Sequence, residues 1–403
     1  MIPFSPPRID KLIIDEVVNT LTSGWITTGP KTKLFEKKIA DYCSVKNVLC
    51  LNSATAGLEL MLRWFGVGNG DEVILPAYTY TATANVVIHC GAKPVFVDVN
   101  EDFNISATNI ASAITNRTKV IMPVDFGGFP CDYDEINLLV KRKEILDLFM
   151  AKTNIQQKLG RILVLSDAAH SFGGVYNNNK CGNLTDVTVF SFHAVKNLTT
   201  AEGGAVCLNL PEEFDNESIY NELCIKSLHG QNKDAFAKTK PGAWKYDVVE
   251  AGYKCNMTDI AASIGLVELE RYDKDTLIKR RSICEEYSKA FSKYYWAIVP
   301  TQKDQIRESS YHLYPLRIKN ITEEQRDLII SKIAEKEVSV NVHFIPIPML
   351  SFYKTLGYKI GDYPVTYSNY SKEISLPVFY DLSDDQIKII IKSVVDSINE
   401  VFS

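Results

Sequence analysis

The sequence predicts an α/β protein with a large, mainly parallel sheet flanked by helices and a smaller α/β unit after it. Three observations predict this. Between residues 50 and 100, short apolar runs alternate with helix-period segments, punctuated by Gly and Asp. The alternation continues to about residue 210. Near residue 250 the texture changes to a long amphipathic stretch, followed by mixed strands and well-signalled helices. A chain of 403 residues has room for two or three domains and a large core.

In order, "VLCLNS" reads as a short buried strand and "SATAGLELMLRWFG" as a helix opening on Ser53. "GDEVILPAY" is a strand, "TATANVVIHCG" a helix and "AKPVFVDV" a third strand. "KVIMPVDF" (119–126), "RILVLSDAA" (161–169), "VTVFSF" (187–192) and "GAVCLNL" (204–210) extend the sheet. Residues 133–160 are charged and helix-like, long for one crossover, and read as a helical excursion on the surface. After residue 250, the amphipathic stretch 257–295 precedes strands at "YHLYPLRI" and "VSVNVHFI". "TEEQ" (322–325) and "SDDQ" (383–386) have the hydroxyl-x-x-Gln form of a capping box. The expected division is a large domain over 1–250 and a small one over 251–403.

Composition narrows the function classes. Hydrophobic residues are 46% and charged residues 23%, an ordinary globular balance. A net charge of -5 argues against a nucleic-acid partner, and "IKRRS" (278–282) reads as a solvated helix face. Nine cysteines without C-x-x-C spacing form neither a disulfide framework nor a zinc site, and no metal centre is expected. No signal pattern and no membrane-length apolar run is visible, so a soluble cytoplasmic protein without a membrane partner is expected.

In open α/β sheets, ligands bind outside the carboxyl ends of the strands. Asp167 and His170 follow one predicted strand; Ser191, His193 and Lys196 follow another. Ser53 and Thr55 open a helix after a third, and Tyr78 and Tyr80 follow a fourth. Singly, each has an ordinary reading: a solvated lysine, a turn aspartate, a satisfied buried histidine, a helix start, a core tyrosine. Jointly they match what pyridoxal phosphate needs. That cofactor takes a lysine amine, a carboxylate facing the pyridinium nitrogen, a phosphate site at a helix N-terminus and an aromatic face. The small residues after Lys196, "TTAEGG", leave room for it.

Seven ordered segments carry a resemblance. They are "SGWITTGPKTKLFEKKIADYC" (23–43), "NSATAGLEL" (52–60), "GDEVILPAYTYTATAN" (70–85), "SDAAHSFGG" (166–174), "FSFHAVKNLTTAEGG" (190–204), "GYKCNMTDIAASIGLVELE" (252–270) and "VHFIPIP" (342–348). Together they resemble the DegT-type nucleotide-sugar aminotransferases, pyridoxal phosphate enzymes with the three-layer aspartate-aminotransferase type I fold. The resemblance implies that Lys196 is the Schiff-base lysine and Asp167 the partner of the pyridine nitrogen. Tyr80 would stack on the ring, His170 would sit near its hydroxyl, and Ala54, Thr55 and Ser191 would bind its phosphate. Asn256 would reach the phosphate of a neighbouring subunit, implying a homodimer with shared active sites. Thr27, His193 and His343 would contact the sugar substrate.

The implied reaction is ping-pong transfer of an amino group from L-glutamate to a nucleotide-linked 4-keto-6-deoxy sugar, for a surface polysaccharide or glycan. UDP-2-acetamido-2,6-dideoxy-4-hexulose is the first candidate. Burial and the cationic cofactor should lower the Lys196 amine from its usual range. Two positions depart from the family. The segment after His343 lacks a second histidine, and Asp125 stands where many members have histidine. A sugar 3-dehydratase of the same fold usually replaces the lysine, and a non-enzymatic binder would have lost Lys196 or Asp167. Both residues are present, which favours the aminotransferase.

Overall fold

The computed structural model describes residues 1–232 and 245–402. The first nine strands are β1 (Asn47–Leu51), β2 (Glu72–Pro76), β3 (Lys93–Val97), β4 (Thr118–Ile121), β5 (Leu163–Asp167), β6 (Val175–Tyr176), β7 (Asn179–Lys180), β8 (Val187–Ser191) and β9 (Gly204–Leu208). Seven of them form one sheet in the order β1-β9-β8-β5-β4-β2-β3. Every pair from β8 to β3 is parallel; β9 alone runs against its neighbours β1 and β8. The expected mixed, mainly parallel sheet is the one observed.

The apolar runs are continuous because both faces of the sheet are covered. Successive side chains point to opposite faces. Val73 and Leu75 of β2 join one buried cluster and Ile74 the other; Leu163 and Leu165 of β5 divide from Val164 in the same way. Helices α1 (Lys11–Thr22) and α2 (Pro30–Cys43) precede the sheet. Helices α3 (Ala54–Trp64) and α4 (Thr81–His89) follow β1 and β2. Ser53 caps α3 by accepting the Ala56 N–H at 3.1 Å, so the helix begins where the sequence places it.

The later strands are β10 (Ala297–Ile298), β11 (Arg307–Glu308), β12 (Tyr314–Ile318) and β13 (Glu373–Leu376). One small sheet has the order β10-β12-β13, while β11 crosses back to pair with β6, whose other edge pairs with β7. Both expected capping boxes form: Thr322 with Gln325, and Ser383 with Gln386. No disulfide forms among the described residues. Among the described residues, no helix is long and apolar enough to cross a membrane.

Three readings are corrected. "VSVNVHFI" is not a regular strand; it makes only single bridges, Val338 to Ile2 and Asn341 to Ser375. The next ladder position is lost because the His343 N–H donates to the Glu373 carboxylate (3.1 Å) instead of a strand carbonyl. Residues 133–160 are three short helices, Tyr133–Leu139, Lys143–Leu146 and Asn154–Leu159, of which only the last two lie mostly at the surface as expected. The first drives Tyr133, Ile136 and Leu139 into the core, so it is part of the crossover. Within "IKRRS", Arg280 is not solvated but 4% exposed, because its guanidinium donates to the Tyr311 and His312 carbonyls at 3.0 and 2.7 Å.

Asp259 joins the N-terminal helices to the helix Asp259–Arg271. Its carboxylate, 1% exposed, accepts the N–H groups of Gly29 (2.8 Å), Lys31 (3.0 Å) and Thr32 (2.9 Å) and the Thr32 hydroxyl (2.7 Å). These are the free donors at the start of α2, met by a charge from far along the chain. Asp259→Ala should therefore lower unfolding stability by about 3 kcal/mol in chemical denaturation, since the cap is lost and buried donors are left unpaired. Asp259→Asn should cost less. Equal, near-zero losses in both variants would refute this role.

Candidate active site

At the carboxyl edge of the sheet, the loops after β1, β2, β4, β5 and β8 surround a cavity of about 330 Å³. β5 ends on Asp167, which is buried. Its carboxylate accepts the Thr83 hydroxyl at 2.8 Å and the Ala169 N–H at 3.3 Å. Thr83 spends its proton there, so Thr79, 2.9 Å away, must donate to Thr83. Burial pushes the Asp167 carboxyl up; Thr83, Ala169 and the Lys196 charge pull it back. A cation facing Asp167 would complete its partners.

Lys196 sits on a loop closed at its base, where the Phe192 N–H donates to Gly203 and the Thr200 N–H to Phe192. Its amine has no hydrogen-bond or ion-pair partner among the described residues. The side chain is partly open to the cavity, and burial pulls the amine down to about 8, with Asp167 acting the other way. Thus Lys196 and Asp167 line one cavity without being salt-bridged to each other.

The start of α3 faces the same space. Within the first turn the Ser53 hydroxyl accepts from Ala56 alone, while donating to the Asn52 side chain, which leaves the Ala54 and Thr55 N–H groups at the helix mouth. The Ser191 hydroxyl, which accepts the His193 N–H at 3.4 Å, adds a further donor. The glycines of "AEGG" allow this close approach. A Cβ on Gly204 would lie 2.5 Å from the Ala54 nitrogen, and one on Gly203 2.1 Å from the Thr200 hydroxyl oxygen.

Three histidines line the wall. His170 accepts the Gly127 N–H on Nδ1 (3.2 Å), so its proton is on Nε2. His312 was not singled out in the sequence. Asn197 donates to the Ser310 carbonyl and the Tyr272 hydroxyl, so its side-chain oxygen receives the His312 Nδ1–H at 2.9 Å. Burial holds both imidazoles well below their ordinary range, with Lys196 adding to the effect, and His343 is lowered to about 3. All three are neutral at physiological pH. Their neutrality spares the cavity a cluster of positive charge beside the lysine.

Tyr80 lies at the mouth. It is 59% exposed, not a core residue, with its ring 5.5 Å from that of Phe344. His193 is at the rim, 3.6 Å from Glu202. Thr27 and Asn256 are not part of this chain's cavity wall. The Thr27 carbonyl accepts the Asp259 N–H, and Asn256 bonds Thr28 and Lys254, both at 2.6 Å. Asp125 also lies off the wall; it accepts the Ser171 and Tyr133 hydroxyls and the Cys131 N–H, with its carboxyl pushed up to about 6 by burial.

An unpaired amine, a buried carboxylate awaiting a cation and a bare helix start, arranged around one cavity, fit pyridoxal phosphate. In the cofactor-free protein, an amine-directed reagent should modify Lys196 with a pH midpoint near 8, not near 10.5. Asp167→Asn removes the charge that holds the ammonium up, so the midpoint should fall further. A midpoint unmoved by that change would refute the electrostatic coupling.

Residues 7–395 match the family model described as the DegT/DnrJ/EryC1/StrS aminotransferase family. The spore coat polysaccharide biosynthesis protein SpsC of Bacillus subtilis is 38% identical over 400 residues, 98% of this chain and 96% of that protein. Spr1654 of Streptococcus pneumoniae, described as a sugar aminotransferase, superposes in its PMP form with a TM-score of 0.95 and 46% identity, covering all of both chains. Its PLP form gives 0.94 and 44%, also over all of both chains. Helicobacter pylori PseC, an aminotransferase of pseudoaminic acid biosynthesis, gives 0.86 and 27% over 99% of each chain. The protein belongs to the DegT/DnrJ/EryC1/StrS aminotransferase family and is a pyridoxal phosphate-dependent sugar aminotransferase of the type I fold.

Proposed function

We propose that this aminotransferase moves the amino group of L-glutamate onto a nucleotide-linked 4-keto-6-deoxy sugar, with UDP-2-acetamido-2,6-dideoxy-4-hexulose as the first candidate. The observation that carries the reading is the Lys196 amine, unpaired and lowered to about 8, opposite the buried Asp167 in one cavity. The names of SpsC and PseC, which concern polysaccharide and pseudoaminic acid, support a product destined for a surface polysaccharide or glycan. Cytoplasmic nucleotide sugars would then be the substrate pool.

When bound, pyridoxal phosphate supplies an electron sink for the carbon that bears the amine. Lys196 would hold the cofactor covalently in the resting enzyme. Once released by the incoming amine, it would take a proton from the donor carbon and return it one position away. An amine with a pKa near 8 is about one-tenth free base at neutral pH, far more than an ordinary lysine, and still holds a proton well enough to deliver it. Asp167, fixed by Thr83, would keep the ring nitrogen protonated. His170 would offer Nε2–H to the ring oxygen, and Ala54, Thr55 and Ser191 would bind the phosphate. Tyr80 would cover the ring from the mouth. His193 and His343 would meet the sugar side, and Thr27 and Asn256 would complete the site of a second copy in a homodimer.

The purified protein with added pyridoxal phosphate should be yellow. L-Glutamate should bleach it with stoichiometric release of 2-oxoglutarate, and the UDP-keto sugar should restore the colour and yield the 4-amino sugar. Colour unchanged by glutamate would overturn the donor assignment. Bleaching without recovery on the UDP-keto sugar would overturn the acceptor.

A further inference from the structure

His343 is one end of a buried hydrogen-bond chain that the amino-transfer steps do not use. Its Nδ1 is 2.8 Å from the Ser375 hydroxyl, and Ser375 is 2.5 Å from the Glu373 carboxylate. Glu373 and Ser375 lie on β13 and are fully buried. The second Glu373 oxygen accepts the His343 N–H at 3.1 Å, and a single bridge between Asn341 and Ser375 keeps the two segments side by side. Phe4 stacks on the imidazole at 5.4 Å and Phe344 meets it edge-on at 4.9 Å, so the ring has little freedom to turn. Its other nitrogen, Nε2, makes no hydrogen bond among the described residues, and His343 lines the Lys196 cavity.

We propose that Glu373 and Ser375 are positioning residues for His343, their hydrogen-bond chain deciding whether Nε2 turns a proton or a lone pair toward the acceptor sugar.

The serine hydroxyl has one proton, which fixes the two states. With Glu373 protonated, Glu373 donates to Ser375, Ser375 donates to Nδ1, and Nε2 carries the imidazole proton. With Glu373 ionised, Ser375 donates to Glu373, Nδ1–H donates to Ser375, and Nε2 is bare. Passage between them shifts the Glu373 proton to Ser375 and the Ser375 proton to Nδ1, and releases one proton from Nε2. His343 thereby gives up a proton without passing through an imidazolium, a form that burial puts out of reach by lowering the ring to about 3.

The groups facing Glu373 set where the switch occurs. Arg317 of β12 and Arg326 of the helix Glu323–Glu335 are the cations near it. Tyr78 and Tyr370 belong to the same buried group, and the Tyr78 hydroxyl has no hydrogen-bond partner. On the cavity side His343 faces Lys196, His170 and His312. Burial outweighs the arginines and pushes Glu373 up to about 8. The proton-bearing state is therefore present below that pH and lost as pH rises through it.

The inference rests on the reading of the Lys196 cavity as the amino-transfer site, but its main test needs no turnover. The probe is nitrogen NMR of 15N-histidine-labelled holoprotein, with the His343 signals assigned by their loss in His343→Gln. The wild type should carry the proton on Nε2 below about pH 7 and on Nδ1 above about pH 9. Glu373→Gln should keep it on Nε2 throughout, because its amide donates permanently to Ser375. Ser375→Ala should show no pH-dependent exchange, and Ser375→Thr, which keeps the hydroxyl, should behave as wild type. In turnover, the wild-type rate should fall above a midpoint near 8, and Glu373→Gln should lack that limb. A His343 tautomer that is the same in wild type, Glu373→Gln and Ser375→Ala at every pH would overturn the proposal. If Glu373→Gln does not fold, Ser375→Ala against Ser375→Thr decides the matter alone.

Discussion

The site depends on keeping one amine and one carboxylate in a common cavity without letting them pair. Lys196 and Asp167 attract each other, and each moves the other's ionisation, yet no salt bridge forms. On the proposed reading, a direct pair would consume the amine needed for the cofactor and the charge meant for its ring nitrogen. The sheet prevents it. β5 and β8 are parallel neighbours, so their carboxyl ends emerge on the same edge. Asp167 ends one strand and is held from α4 by Thr83. Lys196 stands on a loop beyond the other, closed on itself by backbone bonds at Phe192, Thr200 and Gly203.

The surrounding groups are arranged so that this balance is not disturbed. Three histidines close to an ammonium would be a costly concentration of charge if protonated, and burial keeps all three neutral. Each has its ring fixed by a different partner: Gly127 for His170, Asn197 for His312 and Ser375 for His343. Asn197 adjoins Lys196 in the chain, and Arg280 holds the backbone at Tyr311 and His312. The C-terminal segments are therefore coupled directly to the lysine loop.

Much of this was legible in the sequence because it is local. Ser53 is a cap where a hydroxyl meets the first turn, Asp167 and Lys196 follow strand-like runs, and Thr322 and Ser383 open helices with Gln three residues on. The small residues after Lys196 have a packing role that the sequence does not display: Gly204 lies against the first residues of α3. What the sequence hides is long-range. His312 reads as part of a strand, and only its contact with Asn197, 115 residues away, brings it to the cavity. Arg280 sits within a charged helical stretch, and nothing local reveals that two carbonyls from another segment will bury it. Thr83 looks like one more small helix residue until its hydroxyl meets Asp167, 84 residues further on. "VSVNVHFI" has strand composition but pairs at single points, since one of its N–H groups serves the Glu373 side chain.

The central claim is that Lys196, and no other lysine, holds the cofactor. The most direct measurement is borohydride reduction of the holoprotein followed by digestion and mass spectrometry of the peptides. A single reduced cofactor adduct on Lys196 is expected, absent when L-glutamate is added before the borohydride. An adduct on a different lysine, or an adduct on Lys196 that persists unchanged after glutamate, would contradict the claim.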